Sequence, residues 1–560
     1  MMNWLQAILT LFALWLSSNL YGLLRNYLAA RKTGLPLFIL PINIYNPIWM
    51  ISLVPLNPLF KKFLPTWLYE PVNIATYGFE VRLKSSIFEK YGPAFILVTS
   101  GPMEMSIIDP ELIVEVLKRP KDFPNTEISA IIMKLFGHNL LSTNGETWSR
   151  QCKLIAPNIN EKISSLVFGE SCRQARDMLS FYMDDLQGVT NHTMRGMKQL
   201  AFNVLGTAGF GISTPWHEKE ATRSEGHRLT YHEATKIVVE NITAAAVLPA
   251  KLFTIPIMPR DMQDIGHAMN QFPILTKAML ANERQLQATT AEPRHNLMSM
   301  LVRLAESNDA KSPQYLTEEE VQGNLFVFTA AGFDTTANTM SYALAFLATF
   351  PKWQDWIYEE ISQVVGDREV EQLEYADIFP RLPRCLALMF ETMRLFPPLV
   401  HIARTADKNH DITITTSTRS YLIPRGTNVY ISSVGLHRDQ STWGKDADTF
   451  LPSRWIVDES IAPDSPASTI ANVRTMPKGT FLPWSTGPRS CPGMKMSQVE
   501  FVSVFMAIFS RYRCEAVRLD TTETDEQVQR RFEAVMEDSA PRLTLQMNRN
   551  QDLKIRWIRR

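Results

Sequence analysis

The stretch Phe481-Leu-Pro-Trp-Ser-Thr-Gly487-Pro-Arg489-Ser-Cys491-Pro492-Gly493 restricts the fold more tightly than any other part of the chain. Gly487 lets a loop turn back on itself. Pro492 suits the first position of a helix, and Met494, Met496, Val499, Phe501, Val502 and Phe505 follow as apolar positions of that helix. One cysteine, Cys491, is thereby held between a glycine-permitted loop and a helix start. There, unpaired N–H groups carry partial positive charge that lowers a thiol's pKa, and Arg489 adds to the effect. A thiolate so placed is a nucleophile or a metal ligand. Gly493 lets the backbone pass close to a large planar group, which favours the ligand.

A second stretch, Leu316-Thr317-Glu-Glu-Glu320, reads as a capping box opening a helix over 321–350. Inside it stands Ala331-Gly332-Phe333-Asp334-Thr335-Thr336, an acid and two β-branched hydroxyls where helix propensity disfavours them. Local conflicts of this kind mark functional sites. Ala331 and Thr335 share a face, the small Ala331-Gly332 pair admits a flat ligand, and Thr335 can hydrogen-bond the carbonyl one turn back. A third pattern, Glu391-Thr-Met-Arg394, sets a carboxylate and a guanidinium on one helical face, and Phe450-Leu-Pro452-Ser-Arg454-Trp455 supplies a second arginine. Alone, an i,i+3 ion pair is weak evidence.

Together these motifs resemble the cytochrome P450 family over residues 36–560. The loop matches F-x-x-G-x-R-x-C-x-G at Gly487, Arg489, Cys491 and Gly493, with Trp484 in place of the usual Phe. The resemblance implies a mainly α fold with a small β region and haem b bound with Cys491 as the axial iron ligand. It implies Thr335 as the alcohol of the oxygen-activating face, beside Ala331, and Asp334 as the acid that passes protons inward. Glu391, Arg394 and Arg454 would form a structural cluster bracing the cysteine loop. Trp148, Arg404 and Arg489 stand where donors to the haem propionates are expected, with His437 a weaker candidate. One departure concerns the usual W-x-x-x-R: Trp148-Ser-Arg-Gln-Cys152 carries cysteine where arginine is expected. Position 152 shares a face with 148, whereas Arg150 points nearly opposite and Lys153 lies about 100° round, so one propionate should be less fully paired than usual.

The implied reaction is a monooxygenation of an apolar organic substrate, with O2 as co-substrate and NADPH electrons delivered by a separate flavoprotein reductase. A small haem electron carrier is a further partner of such proteins. No nucleotide-binding G-x-G-x-x-G follows a strand, which is why the reductase is expected on another chain. Two other readings are a reductase-independent haem-thiolate isomerase or dehydratase and a non-enzymatic haem carrier; the Asp334-Thr335 pair argues against both. Apolar pocket walls are expected at 129–140, 238–253, 326–333, 398–402 and 548–553, including Phe328, Leu399, Val400 and Ile402. The composition resembles fungal members that tailor secondary metabolites.

The rest of the 560 residues fits this reading. Zero net charge gives no basic surface for nucleic acid. The five cysteines, 152, 172, 385, 491 and 514, lack the spacing of zinc or disulfide frameworks. Residues 4–24 form an apolar run long enough to span a bilayer, and Arg25, Arg31 and Lys32 follow it. The expected layout is a membrane anchor and basic linker over 1–35 and a catalytic domain over 36–560. The positive-inside rule puts the catalytic domain on the cytosolic side of the endoplasmic reticulum membrane. Prolines at 41, 47, 55, 58 and 65 argue against a second continuous helix after the anchor, leaving a patch at 47–60 to dip into lipid. Strand signals are expected at 91–102 and in the tail at 542–547 and 553–557. A capped helix is expected over 109–118, mainly helices over 141–350, and surface loops at 289–296 and 307–314.

Overall fold

A computed structural model describes residues 4–216, 229–290, 294–306, 315–458, 460–461, 465 and 468–560. The loop expected at 307–314 and part of that at 289–296 lie outside the described residues. The chain forms two compact units. One comprises Met1–Thr126, Leu399–Asp448 and Met476–Ser490; the other comprises Glu127–Pro398, Thr449–Thr475 and Cys491–Arg560.

The first unit is built on a five-stranded sheet in the spatial order Leu37–Ile39, Ala94–Val98, Glu104–Ile107, Asn428–Ser432, His401–Thr405. The expected hairpin is its centre: Ala94 pairs antiparallel with Ile107, and Glu104 pairs parallel with Asn428. Every side chain of Ala94–Val98 is buried, in keeping with its unbroken apolar run. The helix Pro110–Leu117 packs beneath, capped where Asp109 accepts a hydrogen bond from Leu112 N at 2.9 Å.

The same unit holds the N-terminal helix Trp4–Ala30, which continues as a 3-10 turn through Thr33. It is long and apolar enough to cross a membrane. It also runs one and a half turns beyond the expected end at Leu24. The proline-rich stretch departs from expectation: Pro47–Phe63 and Thr66–Ala75 are helices with Pro55, Pro58 and Pro71 inside them. Pro55 and Pro58 lie exposed while Leu53 and Asn57 are buried. The carbonyls deprived of donors therefore sit on the outer face, where loss of a ladder bond costs least.

The second unit is mainly helical. Its axis is Glu318–Thr349, opened by the expected capping box, with Thr317 Oγ1 accepting from Glu320 N and Glu320 Oε2 from Thr317 N. The helices Glu161–Asp184, Thr193–Phe210, Pro383–Leu395 and Met494–Phe509 belong to the same unit. The apolar run 238–253 is not one helix but three pieces, interrupted at Asn241 and at Leu248-Pro249. The tail strands form as expected: Leu545–Met547 pairs with Ser539–Pro541, and Ile555–Arg559 pairs with Tyr512–Ala516.

Candidate active site

On the axial helix, residues 320–348 are buried except Gln322, Phe328, Ala331, Gly332 and Thr335. The last four fall at i, i+3, i+4 and i+7, one stripe of a helix otherwise packed on all sides. Thr335 Oγ1 donates to Ala331 O at 2.8 Å, so its proton is held along the helix and its lone pairs are left toward the stripe's open side. Phe326 does not line that face. Its ring lies fully buried against Phe136 and Phe272, with centroids 4.9 and 5.6 Å away.

Asp334, next in sequence to Thr335, is buried and held by three side chains. Lys198 Nζ is 3.1 Å from Oδ1. Thr544 Oγ1 donates to Oδ2 at 2.5 Å and Asn338 Nδ2 at 3.3 Å. Lys198 also reaches Gln546 Oε1 at 3.1 Å, and Asn338 reaches Thr544 Oγ1 at 2.7 Å. Sequence reasoning missed all three partners and Gln546 behind Lys198. Only Asn338, one turn after Asp334, carried a local signal; Lys198, Thr544 and Gln546 come from distant helix and strand segments.

Cys491 precedes Met494–Phe509, whose N-cap is Gly493, so the helix starts two residues later than Pro492 suggested. A hydrogen bond from the Gly493 backbone lowers the thiol's pKa, but burial is the larger effect and pushes it up. The expected net lowering is thus reversed for the free thiol. Cys491 is nevertheless open to solvent. Solvent thus reaches the residue although protein crowds its sulfur. In the other unit, the loop before it is fixed by Gly487, whose φ of 76° only glycine adopts readily. An added Cβ there would lie 2.8 Å from Leu117 O. His437 Nε2 accepts from Leu482 N at 2.9 Å, which leaves the neutral ring's proton on Nδ1 and ties the ring to the loop backbone.

The Glu391 cluster is assembled and dry. Arg394 grips Glu391 through Nε and Nη2, both at 2.8 Å, and both side chains are fully buried. Arg454 Nε adds a bond at 3.1 Å, Trp455 Nε1 one at 2.9 Å and Leu451 N one at 2.8 Å. Both arginines also donate to Thr449 O. The Trp455 and Leu451 donors were not foreseen. Five donors on one carboxylate make a rigid knot at considerable desolvation cost.

Among the expected haem partners, Arg404 is the most telling. It is buried, its one hydrogen bond between described residues runs to Ala403 O at 2.8 Å, and burial alone lowers its pKa to about 10. No carboxylate among the described residues neutralises it, so the site fits a ligand that brings its own. Trp148 is partly buried on the helix Gly145–Ile155. Near it, Arg150 is committed elsewhere, to Glu320 and to Tyr315 O, and Lys153 is exposed. Neither replaces the arginine missing at 152.

A family model described as cytochrome P450 matches residues 65–542. The chain is 31% identical to the phomenoic acid biosynthesis cluster cytochrome P450 monooxygenase of Leptosphaeria maculans, covering 96% of each. It is 26% identical to a cytochrome P450 monooxygenase of Arthrobotrys oligospora, over 97% of this chain and 96% of that one. A third relative, from Penicillium roqueforti, is 24% identical over 86% of each chain. The chain belongs to the cytochrome P450 family. Its relatives are named monooxygenases, and it is an oxidoreductase of that kind.

Proposed function

We propose that the chain is a membrane-anchored haem-thiolate monooxygenase that oxidises an apolar organic substrate in secondary-metabolite biosynthesis. The observation that carries this is the open stripe Phe328, Ala331, Gly332 and Thr335 on a helix whose residues 323–348 are otherwise buried. Haem b would be held by Cys491 at the iron, with Gly487 and Gly493 shaping the loop and Arg404, Arg489 and Trp148 serving the propionates. Once bound, it supplies the chemistry of RH + O2 + 2e− + 2H+ → ROH + H2O, favoured by thiolate donation.

The chain's own residues manage protons and dryness. Asp334 is an acid held by Lys198, Asn338 and Thr544. A proton passes inward when the carboxyl exchanges one of these partners for water on the Thr335 side. Thr335, its hydroxyl fixed on Ala331 O, presents oxygen lone pairs that can order that water. Phe328 and Ala331 offer only apolar surface, suited to a substrate recognised by shape.

Electrons come from NADPH through a separate flavoprotein reductase, aided by a small haem carrier. The anchor helix keeps the chain on the membrane that carries the reductase, which we assign to the endoplasmic reticulum with the catalytic domain on the cytosolic side. The test is NADPH consumption by the purified, haem-loaded chain. It should require added reductase and rise with a true substrate. Turnover of a substrate without reductase would mark an isomerase or dehydratase instead.

A further inference from the structure

The last three turns of the anchor helix are not a tether. Down one side, Gly22, Asn26, Ala30 and Thr33 are buried and Asn19 is partly so, while Tyr21, Leu24 and Leu28 on the other sides are exposed. The buried stripe meets the turn 99–102 that joins the strands Ala94–Val98 and Glu104–Ile107. Asn26 Nδ2 donates to Thr99 O at 2.9 Å and to Gly101 O at 2.6 Å. Ser100 Oγ donates to Asn19 Oδ1 at 2.8 Å. At Gly22 the approach is so close that an added Cβ would lie 2.5 Å from Ser100 O. The turn completes its own remaining bonds: Thr99 Oγ1 accepts from Gly101 N at 3.1 Å and donates to Pro102 O at 2.8 Å.

We propose that the turn 99–102 is a lipid-contacting element, carried into the bilayer by the docked anchor helix so that the two enter as one rigid piece. This rests on the anchor reading above. Asn19 in an apolar helix is costly in hydrocarbon unless paired, Asn26 lies at its edge, and a loop's carbonyls are tolerated there only when protein satisfies them. Here each requirement meets the other.

Length points the same way. Residues 4–18, whose described side chains are exposed except the half-buried Ala7, span about 22 Å at 1.5 Å per residue, against about 30 Å of hydrocarbon. The missing distance is filled only if Asn19–Leu24, and the turn docked on them, also lie at membrane depth. Arg25 then marks the boundary. Beside the turn, Ile39 pairs in register with Val98 and is 50% exposed, as an apolar side chain at a lipid face should be.

The test uses the full-length, haem-loaded chain in phosphatidylcholine vesicles. Flotation with the vesicles reports the anchor itself, and a chain that fails to float contradicts both the anchor reading and this inference. In floating protein, a benzophenone amino acid replacing the exposed Pro102 should form acyl-chain adducts on illumination. Asn26→Leu and Gly22→Leu, still floating and with unchanged haem spectra, should lose at least tenfold of that labelling. Trypsin cleavage after Arg31 should rise at least tenfold in the same variants. Floating wild-type protein without lipid adducts at 102 overturns the proposal while leaving the anchor intact, as do variants that keep wild-type labelling and trypsin resistance.

Discussion

Asp334 and its neighbours show how much a single side chain's role depends on what holds it. The sequence marks the acid as out of place in a helix, but its dependence on Lys198 and Thr544 appears only once distant segments meet. Replacing Asp334 with Asn should lower the rate of product formation by about a hundredfold, the scale of a lost general acid, with haem content unchanged; stopped-flow turnover of a known substrate measures it. Cys152 is the opposite case, a residue conspicuous from sequence alone. With Arg150 committed to Glu320 and Lys153 exposed, Cys152→Arg should supply the missing propionate donor and slow haem transfer to apomyoglobin. An unchanged transfer rate would count against it. The thiol of Cys491 shows where local reasoning misleads. The Gly493 backbone donor lowers its pKa as a nearby N–H should, but protein crowding around the sulfur, which no local pattern reveals, outweighs it.

Among the elements, the helix Pro383–Leu395 depends on the Glu391 knot. Arg394→Met would leave a fully buried carboxylate short of its closest partner, at a cost of about 3–5 kcal/mol. The variant should therefore accumulate without haem, read from the Soret-to-280 nm absorbance ratio. Glu500 on the helix Met494–Phe509 carries a different signature. Its Oε1 makes no hydrogen bond among the described residues, and burial alone pushes its carboxyl up to about 8. The native state therefore keeps a proton that the unfolded chain releases near 4.5. The resulting stabilisation is complete below that value and is lost as pH rises to about 8. Thermal midpoints of wild type and Glu500→Gln should diverge over that interval, the wild type falling relative to the variant; parallel curves would contradict it. Nothing local distinguishes Glu500 from an exposed helix glutamate. The element the sequence misjudged, Pro47–Phe63, fails for a related reason: proline counts say nothing of which face the prolines occupy.

At the scale of the whole molecule, helices, hairpin and tail strands were readable because their periodicities and caps are local. So were the four motifs, whose spacing is strict. The donors that fix them, Trp455 and Leu451 on Glu391 and Lys198 and Thr544 on Asp334, were not, since no spacing rule links segments far apart in the chain. Both sets bear on the proposal that a haem is held through the sulfur of Cys491 and faces the partly open stripe of Glu318–Thr349. The most direct measurement is the absorbance of the purified, haem-loaded chain after reduction under carbon monoxide. A thiolate from Cys491 predicts a strongly red-shifted Soret band, as thiolate electron donation to the iron requires, and its loss in Cys491→Ala. A correctly folded, haem-loaded protein whose band shows no such shift would contradict the account.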